Sequence, residues 1–223
     1  MMNYRDVLKR LKEERQKICW SQREICQYLR MSQAQYCKIE NGEQYLSYDE
    51  VRLLSYAGMD VYYIFTGRRA SDYYIKEFES CNYIEVICLL ESLFSIVTYH
   101  CALERSEFWK ELYKELQYIR LLDAAKSFDN NIFLLLRNLL NYTQREMSGM
   151  LSIDIKKLRR LEKGECLPDS ELLWRFYKEF YVSPFILLRD RKGLLYEAGW
   201  FLERIAVDAE DDIAALQTIY CKN

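Results

Sequence analysis

Apolar side chains recur along this chain at intervals of three and four residues, the spacing that lines one face of an α-helix. Val7, Leu8 and Leu11 show it inside a first helix predicted from about Tyr4 to Gln16. Ser21-Gln-Arg-Glu24 then has the form of a capping box, in which the serine hydroxyl accepts from the backbone at Glu24 and the glutamate reaches back. A second helix therefore starts there, with Ile25 and Leu29 facing inward. Met31 falls in a turn, Ser32-Gln-Ala-Gln35 supplies a second capping signature, and the third helix stops at Asn41-Gly42. The predicted product is a short helix, a tight turn and another short helix.

The same grammar returns 122 positions later, where Arg15, Gln22, Glu24, Glu40 and Gly42 reappear as Arg137, Gln144, Glu146, Glu162 and Gly164. Thr143-Gln-Arg-Glu146 is the second copy's box, Ile153 its turn residue, Asp154 its N-cap and Gly164 its stop. The match runs on from Ser47 to Gly58 against Asp169 to Tyr181. One added residue then sets Asp60 to Phe65 against Ser183 to Leu188, with Pro184 placed to begin a helix.

The stretches Trp20-Ser-Gln-Arg-Glu-Ile-Cys-Gln-Tyr-Leu29 and Tyr36-Cys-Lys-Ile-Glu-Asn-Gly42 resemble the phage-repressor-like helix-turn-helix family, also called the Cro-like or xenobiotic-response-element family. Both copies carry the resemblance, over about Arg5 to Gly67 and Phe133 to Arg191. It implies a compact five-helix bundle in each. The chain departs from the family pattern at Cys26 and Ser148, where an alanine is usual, and at Leu46, where the second copy keeps Pro168. Gly149 also interrupts a helix in the second copy, at a cost of about 1 kcal/mol relative to alanine.

The resemblance implies a DNA-reading role for the third helix, whose N-terminal residues enter the major groove. In copy one these are Ser32, Gln33, Ala34, Gln35 and Lys38, with Asn41 at the far end. Gln33 suits bidentate pairing with adenine, Ala34 a thymine methyl, and Lys38 a guanine or a phosphate. Gln22, with Arg23 beside it, would contact phosphate at a helix N-terminus. The bland alternative is a set of solvated polar residues on a surface helix. In copy two the matching set is Gln144, Arg145, Lys156, Lys157, Arg160 and Lys163, more basic and less discriminating, with Ile155 in the place of Gln33. It reads either as a phosphate grip or as a helix that lost DNA and became a partner surface. The pairs Arg15–Glu40 and Arg137–Glu162 would be structural ion pairs holding the reading helix.

Composition adjusts this picture in a few places. Two prolines and seven glycines in 223 residues favour long helices over many strands, so the expected fold class is all-α. The expected layout is a helix-turn-helix unit over 1–67, a helical bridge over 68–128, a second unit over 129–192 and an acidic helical tail over 193–223. Charge is distributed accordingly, at +1, -2, +3 and -4 across the four segments, for a total of -2. The bridge is expected to form helices near Asp72 to Glu79, Tyr83 to His100 and Ser106 to Ala125, most of it packed between the two bundles, with Trp109, Tyr113, Tyr73 and Tyr74 as candidate dimer anchors in a second reading. The apolar run from Tyr83 to Tyr99 contains Glu85 and Glu91 and is shorter than the ~20 residues of a membrane span. Eight cysteines form no CxxC pair and His100 is the sole histidine, which disfavours a zinc site. No phosphate-cradling loop or catalytic constellation stands out, so neither an enzyme nor a cofactor is expected. The opening residues hold no apolar signal core, and a cytoplasmic location is expected. The expected partners are double-stranded DNA and a second copy of the chain, with a small effector or partner protein left open. The competing reading is a protein-interaction adaptor on a duplicated helix-turn-helix scaffold.

Overall fold

A computed structural model describes residues 3–104, 106–121 and 131–221. Within them the protein is all-helical, with no strand. Copy one contributes α1 (Tyr4–Lys17), α2 (Gln22–Leu29), α3 (Gln33–Glu40), α4 (Tyr48–Tyr56) and α5 (Val61–Thr66). Then come α6 (Asp72–Glu77), α7 (Tyr83–Glu104), α8 (Glu107–Leu116) and a 3-10 turn over Gln117–Leu121. Copy two contributes α9 (Ile132–Leu139), α10 (Gln144–Met150), α11 (Ile155–Glu162), α12 (Ser170–Phe180) and α13 (Pro184–Leu188). The chain closes with α14 (Arg191–Ile205) and α15 (Glu210–Tyr220).

Local chemistry explains the starts of these helices. Complete capping boxes form at Ser21 with Glu24, Ser32 with Gln35, Ser47 with Glu50 and Thr143 with Glu146. Asp154 caps α11 by accepting from the Lys156 amide, and Pro184 occupies the first turn of α13. The stops also repeat. Of the ten described residues with left-handed backbone, eight form four pairs in register across the copies, Cys19 with Asn141, Arg30 with Ser152, Gly42 with Gly164 and Gly58 with Tyr181; Gly67 and Arg189, one position out of register, each end the fifth helix of their copy. The two copies thus turn at the same places even where the side chains differ.

Copy one is built on α1, which packs on α3 and α5, while α2 lies against α3 and α4. In copy two α11 is covered by α9 and α10, and α12 lies against α13. The two copies also touch each other. The Leu46 amide donates to Ser170 Oγ at 3.0 Å, the Ser170 amide donates to the Leu46 carbonyl at 2.8 Å, and the Tyr4 and Ser170 hydroxyls lie 2.6 Å apart. Phe185, fully buried, sets its ring against Tyr62 and Phe65. Tyr62 and Phe185 occupy equivalent positions in the two copies. The segment expected as a bridge is therefore not what alone connects the copies. Its α7 packs instead against α8, α14 and α15, and α6 against α14, in a third layer shared with the tail.

Three expectations for that layer need correction. Trp109, a candidate dimer anchor, is fully buried, stacked on His100 with ring centroids 4.5 Å apart and donating to Glu104 at 2.7 Å. Its apolar area is already covered within the fold. Of the other aromatic candidates, Tyr113 is half-buried against Phe94 and Tyr73 is exposed. The helix expected from Ser106 stops at Leu116 and continues as a 3-10 turn; its expected end at Ala125, like the boundary at 128–129, lies outside the described residues. Third, α7 extends to Glu104, which gives it 22 residues and makes it the one described helix long and apolar enough to cross a membrane. Val86, Ile87, Leu89, Leu90, Leu93 and Val97 on it are nonetheless fully buried. His100 joins this layer together, bonded to Glu104 at 2.9 Å and to Asp212 on α15 at 3.2 Å.

One buried charge gives the fold a pH dependence. Glu197 on α14 is 5% exposed and accepts from the Ser183 hydroxyl. Burial raises its carboxyl to about 7, against the lowering influence of Ser183, Tyr118 and Arg68. A carboxyl whose folded value is raised binds more protons folded than unfolded, so stability falls as pH rises from the ordinary value of 4.5 through about 7. The expected fall is on the order of 3 kcal/mol, read as a declining urea midpoint over that window. Glu197→Gln should flatten it; an unchanged slope in that variant would remove Glu197 as its source.

Candidate nucleic-acid interface

The expected DNA-facing residues of copy one gather on one outer surface. Arg23, Ser32, Gln33, Ala34, Gln35, Lys38 and Asn41 are all exposed, and Gln22 is half-buried. Behind them the two expected ion pairs are present. Arg15 Nε donates to Glu40 Oε1 at 3.0 Å, with both side chains under 10% exposed, and Arg137 pairs with Glu162 in the same way. Each arginine also donates to a backbone carbonyl, Trp20 at 2.8 Å and Tyr142 at 3.0 Å, and so ties α1 and α9 to the turns that follow them.

A further link was missed from sequence. Gln22 donates to Glu40 Oε2 at 2.7 Å, and its own carbonyl accepts from Gln33 at 3.4 Å and Cys37 at 3.5 Å. Copy two repeats the device: Gln144 donates to Glu162 at 2.6 Å and accepts from Arg159 at 3.0 Å. Arg159 stands where copy one has Cys37. A chain of hydrogen bonds therefore runs from the first helix through the glutamate and glutamine to the exposed helix. The signal lay in the shared offset of Gln22 with Arg15 and Glu40, since three identical residues spaced alike are the members of one network. For Gln22 the resemblance implied phosphate contact, yet its amide points at α3, as that of Gln144 points at α11.

The basic helix of copy two is also partly engaged. Lys157 Nζ lies 3.2 Å from Asp169, Lys163 lies 3.7 Å from Glu165, and Arg159 is held by Gln144. Among the described residues Lys156 and Arg160 meet no carboxylate, and both are exposed, as is Arg145. At the helix starts, the Ser21 and Thr143 amides and hydroxyls hold the Glu24 and Glu146 carboxyls below their ordinary values. Those charges are directed at the caps. A groove of about 440 Å³ lies between the copies, lined by Tyr4 and Arg5 on α1, Asn41 and Gly42 after α3, Met150 and Ser152 before α11, and Arg175 on α12.

The described residues hold no group of three or more side chains suited to a metal ion. No family model, curated protein or solved structure matches the chain.

Proposed function

We propose that the protein is a sequence-specific DNA-binding transcriptional regulator in which copy one reads bases and copy two grips the backbone. The observation that carries this reading is the exposed first turn of α3, Ser32 to Gln35, supported from behind by the Arg15–Glu40–Gln22–Gln33 chain of hydrogen bonds. A reading helix must hold its side chains at a fixed pose against base edges, and this network supplies that constraint. In this reading each copy is a phage-repressor-like bundle, α1 to α5 and α9 to α13, and the protein acts in the cytoplasm. The contact of Tyr62 with Phe185 favours one chain that presents both copies, where a homodimer would otherwise be needed.

Selection from random duplexes, followed by binding of the enriched sequence across a salt series, tests the reading. Gln33→Ala is expected to relax preference at one base pair, at a cost of about 1–3 kcal/mol. The double variant Lys156→Ala/Arg160→Ala is expected to weaken all sequences alike and to reduce the slope of log affinity against log salt by about 2. Lys157→Ala should do less, because Asp169 already engages that ammonium. A protein that enriches no sequence and shows no salt-dependent affinity is not a DNA reader. Its duplicated scaffold would then serve as a protein-interaction adaptor.

A further inference from the structure

A cavity of about 740 Å³ opens where α4 of copy one meets the residues that lead from α13 into α14, with Tyr83 at the start of α7 as a further wall. Its cationic lining consists of Arg52, Arg189, Arg191 and Lys192. Arg191 donates to the carbonyls of Glu79 and Cys81 at 3.0 and 2.7 Å, Lys192 Nζ reaches the Ser55 carbonyl at 3.4 Å, and Arg52 reaches the Tyr56 hydroxyl at 3.4 Å. Among the described residues none of these three meets a carboxylate within ion-pair distance, and Asp190 is the one carboxylate among the cavity's lining residues, so the lining carries a net positive charge.

The same walls hold three buried polar groups: Ser55 and Asp190, which face each other, and Tyr83 Oη, which has no partner among the described residues. Ser55 is 1% exposed and Asp190 8%. Asp190 Oδ1 accepts from the Lys192 amide at 3.2 Å and so caps α14, while the carboxyl also faces the Ser55 hydroxyl, which favours its charged form against burial. A buried polar atom left unmatched costs about 1–3 kcal/mol, and the Tyr83 hydroxyl beside the Ser55–Asp190 pair calls for an occupant. That occupant needs two kinds of chemistry. Its anionic group suits the arginines, the lysine and the N-terminus of α14; the Asp190 carboxylate would repel an anion and requires a donor. Tyr48 and Tyr83 add rings that favour a flat partner, and the volume lies within the range of small-molecule sites.

We propose that this cavity binds a purine nucleotide, phosphate toward the cationic side chains and the amino group of the base toward Asp190. Both copies supply walls, so an occupied site links α4 to the α13–α14 connection. The inference is independent of DNA reading.

Fluorescence polarisation of the full chain with N-methylanthraniloyl ADP and GDP tests it. Saturable binding is expected, displaced by the unlabelled diphosphates and not by adenosine or inorganic phosphate alone. Arg52→Ala should weaken binding by about tenfold or more. Asp190→Asn keeps a capping side chain but presents a donor as well, so it should shift preference from ADP toward inosine diphosphate, whose base carries a carbonyl in place of the amino group. Tyr83→Phe, which removes only a hydroxyl, gives a second readout should Asp190→Asn fold poorly, and is expected to weaken binding by about threefold. Absence of saturable binding in the millimolar range, or binding unaltered by Arg52→Ala, overturns the proposal. If the same preparation still enriches a DNA sequence, the nucleotide site alone has failed.

Discussion

Arg15→Met is expected to destabilise the protein by about 3–5 kcal/mol, the cost of leaving a buried charge without its partner. Glu40 would remain under 10% exposed with Gln22 as its chief donor, and the Trp20 carbonyl would lose the guanidinium as well. The loss belongs to the stranded carboxylate more than to any intrinsic strength of the pair, because taking two ions out of water offsets most of their attraction. Arg15→Met/Glu40→Leu should therefore recover the greater part of it. Urea titrations of the two variants separate these statements, provided the slope of each transition stays that of wild type. If the single variant loses under about 1 kcal/mol, or the double is no better than the single, the pair is not a buried structural link. The single variant also releases Gln22 and, through it, Gln33, so under the proposed DNA-reading function base preference should blur before the fold is lost.

Phe185→Ala should have an effect of similar size, about 3–5 kcal/mol, by opening a cavity at the junction of the copies. Its ring lies 5.9 Å from Tyr62 and 6.4 Å from Phe65, between centroids, with no exposed surface. The backbone of α14 approaches the same ring so closely that a methyl group on Gly193 would fall 2.0 Å from Phe185 Cδ1. Gly193→Ala must displace the ring and should destabilise in the same direction. Phe176→Ala, a buried residue of copy two, is the control: similar in cost, but without loosening Tyr62. Limited proteolysis and small-angle scattering read the difference. Should Phe185→Ala leave stability unchanged, the junction rests on Tyr4, Leu46 and Ser170 instead.

The helices and turns of both copies could be read from the chain because each is written locally: a capping residue, a carboxylate or amide three positions on, an apolar face and a stop. The ion pairs were readable because the resemblance implied them, and the recurrence of Arg15 and Glu40 as Arg137 and Glu162 agreed with it. What lay out of reach depends on encounters between distant positions. Nothing local announces that Tyr4 meets Ser170, 166 residues away, or that Lys157 faces Asp169 instead of solution. Trp109 was misplaced because amphipathic spacing gives a helix its buried face without naming what covers it, here His100 and the rest of the third layer. Gln22 was read as facing outward because its position at a helix N-terminus suits an anion; the competing acceptor, Glu40, sits on another helix. Even the left-handed turn at Tyr181 was hidden, since its counterpart is Gly58 and tyrosine does not advertise positive φ.

The meeting of Tyr62 with Phe185 inside one chain has a consequence for stoichiometry. Separate subunits pair to an extent set by how many of them are present, and dilution takes them apart. Two copies on one backbone meet in an intramolecular step, whose equilibrium contains no protein concentration at all. A single molecule then carries the complete pair, as functional in the first few copies made as in the last.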